Sequence, residues 1–257
     1  NYKYNEQPEL EKVILIPPSF AINIWNPTTT LLKGFYHAFL SYRTKNYGNK
    51  RILFDTFKSY IYQITRRKTL KAYDKRDSKK SSNYIFIACA LWNYKECIEH
   101  TNTLRFNFMK ICKTNPHIDF DGGFIMNKLS ANIPIGWEQY CKTKRISPAE
   151  YINKTQHSFC VFNTPAVREC HGWKLPEFLC MGKAIISTPL KNDLTEPLKH
   201  GHEIHLINNE SELSTAINIL LTDTNYRNKL ETNARLYWEK YCAPQIVIKN
   251  IFAHFRR

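Results

Sequence analysis

Apolar residues recur along this chain at two spacings: three and four apart in some stretches, short unbroken runs in others. Leu31, Leu32, Phe35, Ala38 and Phe39 fall on one face of a helix over 31–42, with Thr28-Thr29-Thr30 ahead of it as capping residues. Residues 54–73 read as a second helix with a strongly basic latter half. Upstream, 13–16 is a short strand stopped by Pro17-Pro18, and 20–25 is another extended piece. Tyr84 to Ala90 (YIFIACA) is a continuous apolar run of strand length, as a strand covered on both faces requires. A long loop over 91–102 precedes a helix over 103–113, with Leu104, Phe108, Ile111 and Cys112 on one face. Residues 118–125 hold a second strand and its turn, broken by Gly122-Gly123. Ser147-Pro148-Ala149-Glu150 starts a helix, with serine as cap, proline at the first position and glutamate three on. Strands over 159–162 and 184–186 follow, with a helix between them that Pro176 opens and Gly182 ends. A last strand at 204–207, helices over 213–221 and 226–241, and a terminal helix after Pro244 complete the pattern. This alternation predicts an α/β fold with a parallel sheet from residue 84 onward.

The stretch from Val161 to Ser187 carries the candidate chemistry. Two carboxylates, Glu169 and Glu177, stand with seven residues between them, around a strand-to-helix turn. A carboxylate near a helix N-terminus accepts from vicinal hydroxyls such as a ribose diol, and the free N–H groups of that helix end suit a phosphate. Gly172 has no Cβ, so its backbone can approach a phosphate closely. Lys174 and Lys183 flank the second acid and add positive charge. The same pair also fits a plain crossover with exposed charges; Gly172 between the acids, Pro176-Glu177 opening the helix and Gly182-Lys183 closing it favour the ligand site.

At these residues the chain resembles the C-terminal half of GT-B glycosyltransferases, over roughly 83–241. That resemblance implies a GT-B-like α/β fold: a Rossmann-like C-terminal nucleotide-binding domain with a parallel sheet, beside a smaller N-terminal acceptor domain that is reduced or trimmed. The implied division is 1–82 for the acceptor side, 83–241 for the nucleotide-sugar domain and 242–257 for a helix crossing back, with the polar stretch 77–83 as linker. By position, Glu169 is implied to face the donor sugar, Glu177 to bind the ribose and Gly172 to contact the diphosphate. Arg105 is the candidate diphosphate contact after the first strand, because a cation in a helix's first turn is unfavourable unless an anion lies near. Lys174 and Lys183 are further candidates, Lys183 also fitting a plain helix-closing turn after Gly182, and His171 is a candidate base beside Glu169, with a stacking or structural role as the alternative. The sequence departs from the family pattern at Cys170-His171 and at Trp173-Lys174. The implied reaction is metal-independent transfer from a nucleotide-diphosphate sugar to a saccharide or lipid-linked acceptor, in polysaccharide biosynthesis. The nucleotide sugar is substrate, so no cofactor is expected.

Charge and cysteines narrow the partner. The formal net charge is +15 over 257 residues, which implies an anionic partner. Basic runs at Arg66-Arg67-Lys68 with Lys71, and at Lys75-Arg76 with Lys79-Lys80, fit a plain solvated surface, and their position also makes them a candidate patch for an anionic membrane surface. No run approaches the ~20 apolar residues of a membrane span. The expected location is cytoplasmic, peripheral at the inner face of the membrane. The eight cysteines form no CxxC pair and read as reduced, buried thiols rather than zinc ligands or disulfides. Two other functions fit: a sugar-nucleotide-binding module without catalysis, and a basic nucleic-acid-binding protein. The spread of the cations and the lack of a recognised motif count against nucleic acid.

Overall fold

A computed structural model describes residues 17, 19–20, 22, 27–44, 50–74, 82–94, 97–126, 132–166 and 169–255. The strand expected at 13–16, most of the extended piece at 20–25 and most of the linker at 77–83 lie outside these residues. Helices α1 (Pro27–Thr44), α2 (Lys50–Arg66) and α3 (Leu70–Tyr73) come first. The expected helix over 54–73 is thus two helices: Thr69 is extended and starts a new turn. That turn is docked on the rest of the fold by Gln156, whose amide donates to the carbonyls of Ala72 and Tyr73 at 3.1 Å.

The alternating part follows in order: β1 (Tyr84–Cys89), α4 (Thr103–Thr114), β2 (Asp119–Ile125), β3 (Cys141–Lys142), α5 (Pro148–His157), β4 (Val161–Asn163), α6 (Lys174–Met181), β5 (Ile185–Ser187), β6 (His205–Leu206), α7 (Glu212–Thr222), α8 (Thr224–Tyr237) and α9 (Pro244–Phe255). Among the described residues all strand pairings are parallel, in two three-stranded sheets ordered β1-β2-β3 and β4-β5-β6. The sheets lie side by side along β1 and β4. The Phe159 N–H donates to the Tyr84 carbonyl at 2.9 Å, and the Phe86 N–H to Ser158 Oγ at 2.9 Å. Read across, the strand order is 3-2-1-4-5-6, so the chain's direction of travel across the sheet reverses between β1 and β4.

Side-chain alternation puts helices on both faces. Ile85, Ile87, Phe162 and Ile186 face α4 and α7, packing with Phe108, Met109, Leu213 and Ile217. Val161 and Ile185 point the other way, to Leu175, Phe178, Leu179, Ala234 and Trp238. This is why the strands read as unbroken apolar runs.

The helix punctuation matches the sequence. Ser147 Oγ accepts from the Glu150 N–H at 3.2 Å, and Gly182 ends α6 at φ 60°, ψ 52°. Two expectations are corrected, and the exposure of α1 is added to them. Gly122-Gly123 do not break β2. They let it pass: a Cβ on Gly122 would stand 1.9 Å from the Ile87 carbonyl oxygen, and one on Gly123 2.2 Å from that of Tyr140. The long loop at 91–102 is partly helical, because Cys97–Asn102 form a π-type turn continuous with α4. The apolar face of α1 is not buried, apart from Ala38; Leu32, Phe35 and Phe39 are exposed.

Candidate functional site

The C-terminal ends of β1 and β4 open into the crevice where the strand order reverses, the place where open parallel sheets bind ligands. A cavity of about 410 Å³ lies there, lined by Cys89, Ala90 and Trp92 after β1, Thr164 and Ala166 after β4, and Gly172, Trp173 and Lys174 at the start of α6. Arg105 and His171 also line it. A second cavity, of about 500 Å³, shares Ala166 with the first and holds Glu169, His100, Thr101, Lys191 and Asn208.

Two cations converge on the first cavity. Arg105 is 8% exposed; its Nε donates to Thr164 Oγ1 at 2.8 Å and its Nη1 to the Ala90 carbonyl at 3.2 Å. These bonds tie the ends of β1 and β4 together and fix the guanidinium between them. Lys174 Nζ donates to the Ala88 carbonyl. Burial pushes the Lys174 pKa down, and the Arg105 charge adds to this, while Glu177 opposes it. Among the described residues no carboxylate lines this cavity, so its field is positive and suits an anion.

The sequence predicts Arg105 in a helix's first turn, and it does not stand there. The helix is continuous from Cys97, so Arg105 is not in its first turn. What puts it in the site is the strand-end geometry. The turn before it is pinned by Asn102, 1% exposed, whose side chain accepts from the Trp92 N–H at 3.2 Å and donates to the Trp92 carbonyl at 2.9 Å.

The loop between β4 and α6 supplies the rest. Glu169 has φ 58°, and it alone among the described non-glycine residues has a positive φ. Strain of this kind concentrates at ligand-binding turns. The loop is closed by the Ala166 N–H donating to the Cys170 carbonyl at 2.9 Å. His171 Nε2 bonds the Asn192 carbonyl at 3.1 Å, which places the proton on Nε2 and leaves the neutral ring's lone pair on Nδ1. Burial lowers the His171 pKa, so the neutral form prevails at pH 7. At Gly172 a Cβ would meet only Ala166 Cβ at 3.8 Å and Lys174 N at 4.0 Å. The fold therefore has room for a side chain there, and the glycine keeps open a backbone surface that lines the cavity.

The two acids are not brought into one cavity. Glu169 lines the second, whereas Glu177 lines neither and accepts from the Tyr151 hydroxyl at 3.0 Å. Burial raises its pKa to about 7, against the opposing effects of Tyr151 and Lys174. Lys183 is also away from the site. It is 1% exposed, and its ammonium donates to the carbonyls of Gln156 and Ser158, tying the strand after α6 to the end of α5. Its expected contact with the donor is corrected on that ground: a cation held by two buried carbonyls does not reach the crevice. Thr164, Trp92 and Trp173 line the site without having been singled out in the sequence as site residues. Thr164 lies in the Asn163-Thr164-Pro165 break after the strand, and that position was the available signal.

No family model matches the sequence, and no curated protein matches it. Among solved structures the chain overlays on TarM, a glycosyltransferase, with a TM-score of 0.46 and 11% identity, over 67% of this chain and 35% of that one. The chain therefore spans about a third of that protein's length. An overlap this loose assigns neither family nor activity.

Proposed function

We propose that this chain binds a nucleotide-diphosphate sugar in the crevice between β1 and β4 and serves metal-independent glycosyl transfer of the GT-B kind to a saccharide or lipid-linked acceptor. The observation that carries the reading is the convergence of Arg105 and Lys174 on a cavity that no carboxylate lines among the described residues, at the reversal of strand order. In this reading the two cations and the Gly172 backbone hold the diphosphate. They also stabilise the charge that grows on the leaving oxygen as the bond to the anomeric carbon breaks. Glu169, across Ala166, faces the sugar. His171, with its lone pair on Nδ1, takes the acceptor's proton. The exposed Trp173 ring at the mouth offers a stacking face. Glu177 stands behind Lys174, and its bond to Tyr151 favours orienting that lysine over touching the ribose itself. The nucleotide-sugar unit is 83–241, with 1–82 on the acceptor side and 242–257 returning to it; Pro244 lies beside Phe20, Ile22 and Leu70, consistent with that return.

A thermal-shift screen with UDP, GDP, ADP, CMP and their sugars tests this. One nucleotide should raise the melting temperature, by mass action on the folded state, and Arg105→Gln and Lys174→Gln should each abolish the rise. If no nucleotide stabilises the chain, or both variants respond like the wild type, the reading is lost.

A further inference from the structure

We propose that the hairpin of α1 and α2 lies on an anionic lipid surface. Leu32, Phe35, Tyr36 and Phe39 recur at helical spacing along one face of α1, and each is between 52% and 66% exposed. On α2, Phe54 and Tyr62 are 64% and 58% exposed, on either side of exposed Lys58 along the same face. The rings of Phe35 and Phe57 meet with centroids 4.2 Å apart, so the stripe on α1 runs to the seam between the helices. A contiguous apolar stripe left uncovered marks an interaction surface.

The surrounding charge identifies the partner. From residue 27 to residue 73 the chain carries ten Lys and Arg and a single acid, Asp55. Lys33, Arg43, Lys58 and Lys71 are exposed, and the Arg43 guanidinium lies 5.9 Å from the centre of the Phe39 ring. Cations beside exposed leucine and phenylalanine fit the boundary between acidic headgroups and acyl chains: the rings and Leu32 enter the apolar zone, and the long basic side chains reach the headgroups. Among the described residues no helix is long and apolar enough to cross a membrane, so the hairpin lies in the surface. A nucleic acid would meet the cations and leave Leu32 and Phe39 in water. This proposal does not rest on the sugar-nucleotide reading.

The test is co-sedimentation of the full chain with vesicles of phosphatidylcholine alone and of phosphatidylcholine mixed with phosphatidylglycerol. Binding is expected on the mixed vesicles only, and is expected to be lost as salt is raised. The double variant Leu32→Glu/Phe39→Glu should weaken it about tenfold or more, and Lys33→Glu/Lys58→Glu should do likewise. Circular dichroism of both variants should match the wild type, since these side chains are exposed. Arg105→Gln should leave vesicle binding unchanged, which separates this proposal from the crevice. Equal binding to neutral vesicles, no binding to either, or RNA binding without vesicle binding overturns it. So does a wild-type dimer that Leu32→Glu/Phe39→Glu makes monomeric while vesicle binding persists.

Discussion

The two cavities that meet at Ala166 differ in charge and in how they are built. The one between the strand ends is lined by Arg105 and Lys174, and both are anchored to backbone carbonyls of the β1 segment, Ala90 and Ala88. The other holds Glu169 on a strained loop turn. A rigid cationic wall suits a group whose charge is fixed, and a carboxylate on a loop suits a hydroxyl-bearing ligand whose position varies. Glu169 shares its cavity with Lys191 and does not line the one that holds Arg105 and Lys174, so it does not neutralise that pair.

The largest break in that contrast should come from the cationic wall. Lys174→Gln and Arg105→Gln are each expected to weaken nucleoside-diphosphate binding by about 2–3 kcal/mol, the scale of a hydrogen bond to a charged group. Titration calorimetry measures it. Equal losses for the nucleoside alone would place the cations somewhere other than on the phosphates.

A comparable effect, this time on stability, belongs to Glu177. Its folded pKa is raised from the ordinary carboxylate value to about 7. The folded state therefore binds the proton more tightly than the unfolded chain does. That contribution is full below about pH 4.5 and is lost as pH rises through about 7, over a range of roughly 3–4 kcal/mol. Glu177→Gln should flatten this stretch of the stability curve, so that urea melts at pH 5 and pH 8 differ less than in the wild type. If the wild type is instead more stable at pH 8 than at pH 5 and the variant shows the same rise, Glu177 is not buried as a raised-pKa acid.

Smaller effects sharpen the division. Glu169→Gln should cut turnover about tenfold or more, a loss of ~1.4 kcal/mol in transition-state stabilisation, while leaving nucleoside-diphosphate affinity unchanged. Were the affinity to fall instead, the two cavities would not divide the ligand as argued. Gly172→Ala should change the melting temperature little, because the added Cβ meets only ordinary contacts. It should weaken diphosphate binding by about 1 kcal/mol through loss of close backbone approach. A Gly172→Ala protein that does not fold would show that the glycine serves the chain and not the ligand.

Much of this was legible in the residues and some of it was not. The strand at 84–89 and the serine cap at Ser147 are local patterns, and both stand where the spacing put them. The helix end at Gly182 follows from one residue's access to positive φ, and it too is in place. Arg105 lines the cavity without standing in a first helical turn, and a helix start is hard to place in a sequence without a cap. Lys183 sits beside Glu177's helix in sequence but serves the fold, since the direction of a side chain after a helix end depends on what the strand packs against. Glu169 and Glu177 share a motif and not a cavity for a related reason: eight positions along a loop and a helix leave the two carboxylates' directions open.

What the residues settled alone was the order and kind of the elements and the existence of a charged turn between strand and helix, because periodicity, caps and glycine conformations act within a few residues. What only the folded chain decided was which charges meet. Arg105 and Lys174 lie 69 positions apart in the chain, and they converge because β1 and β4 lie side by side. The apolar face of α1 has the spacing of a buried helix and is exposed. Burial depends on what lies opposite, and that is a property of the packing, not of the helix.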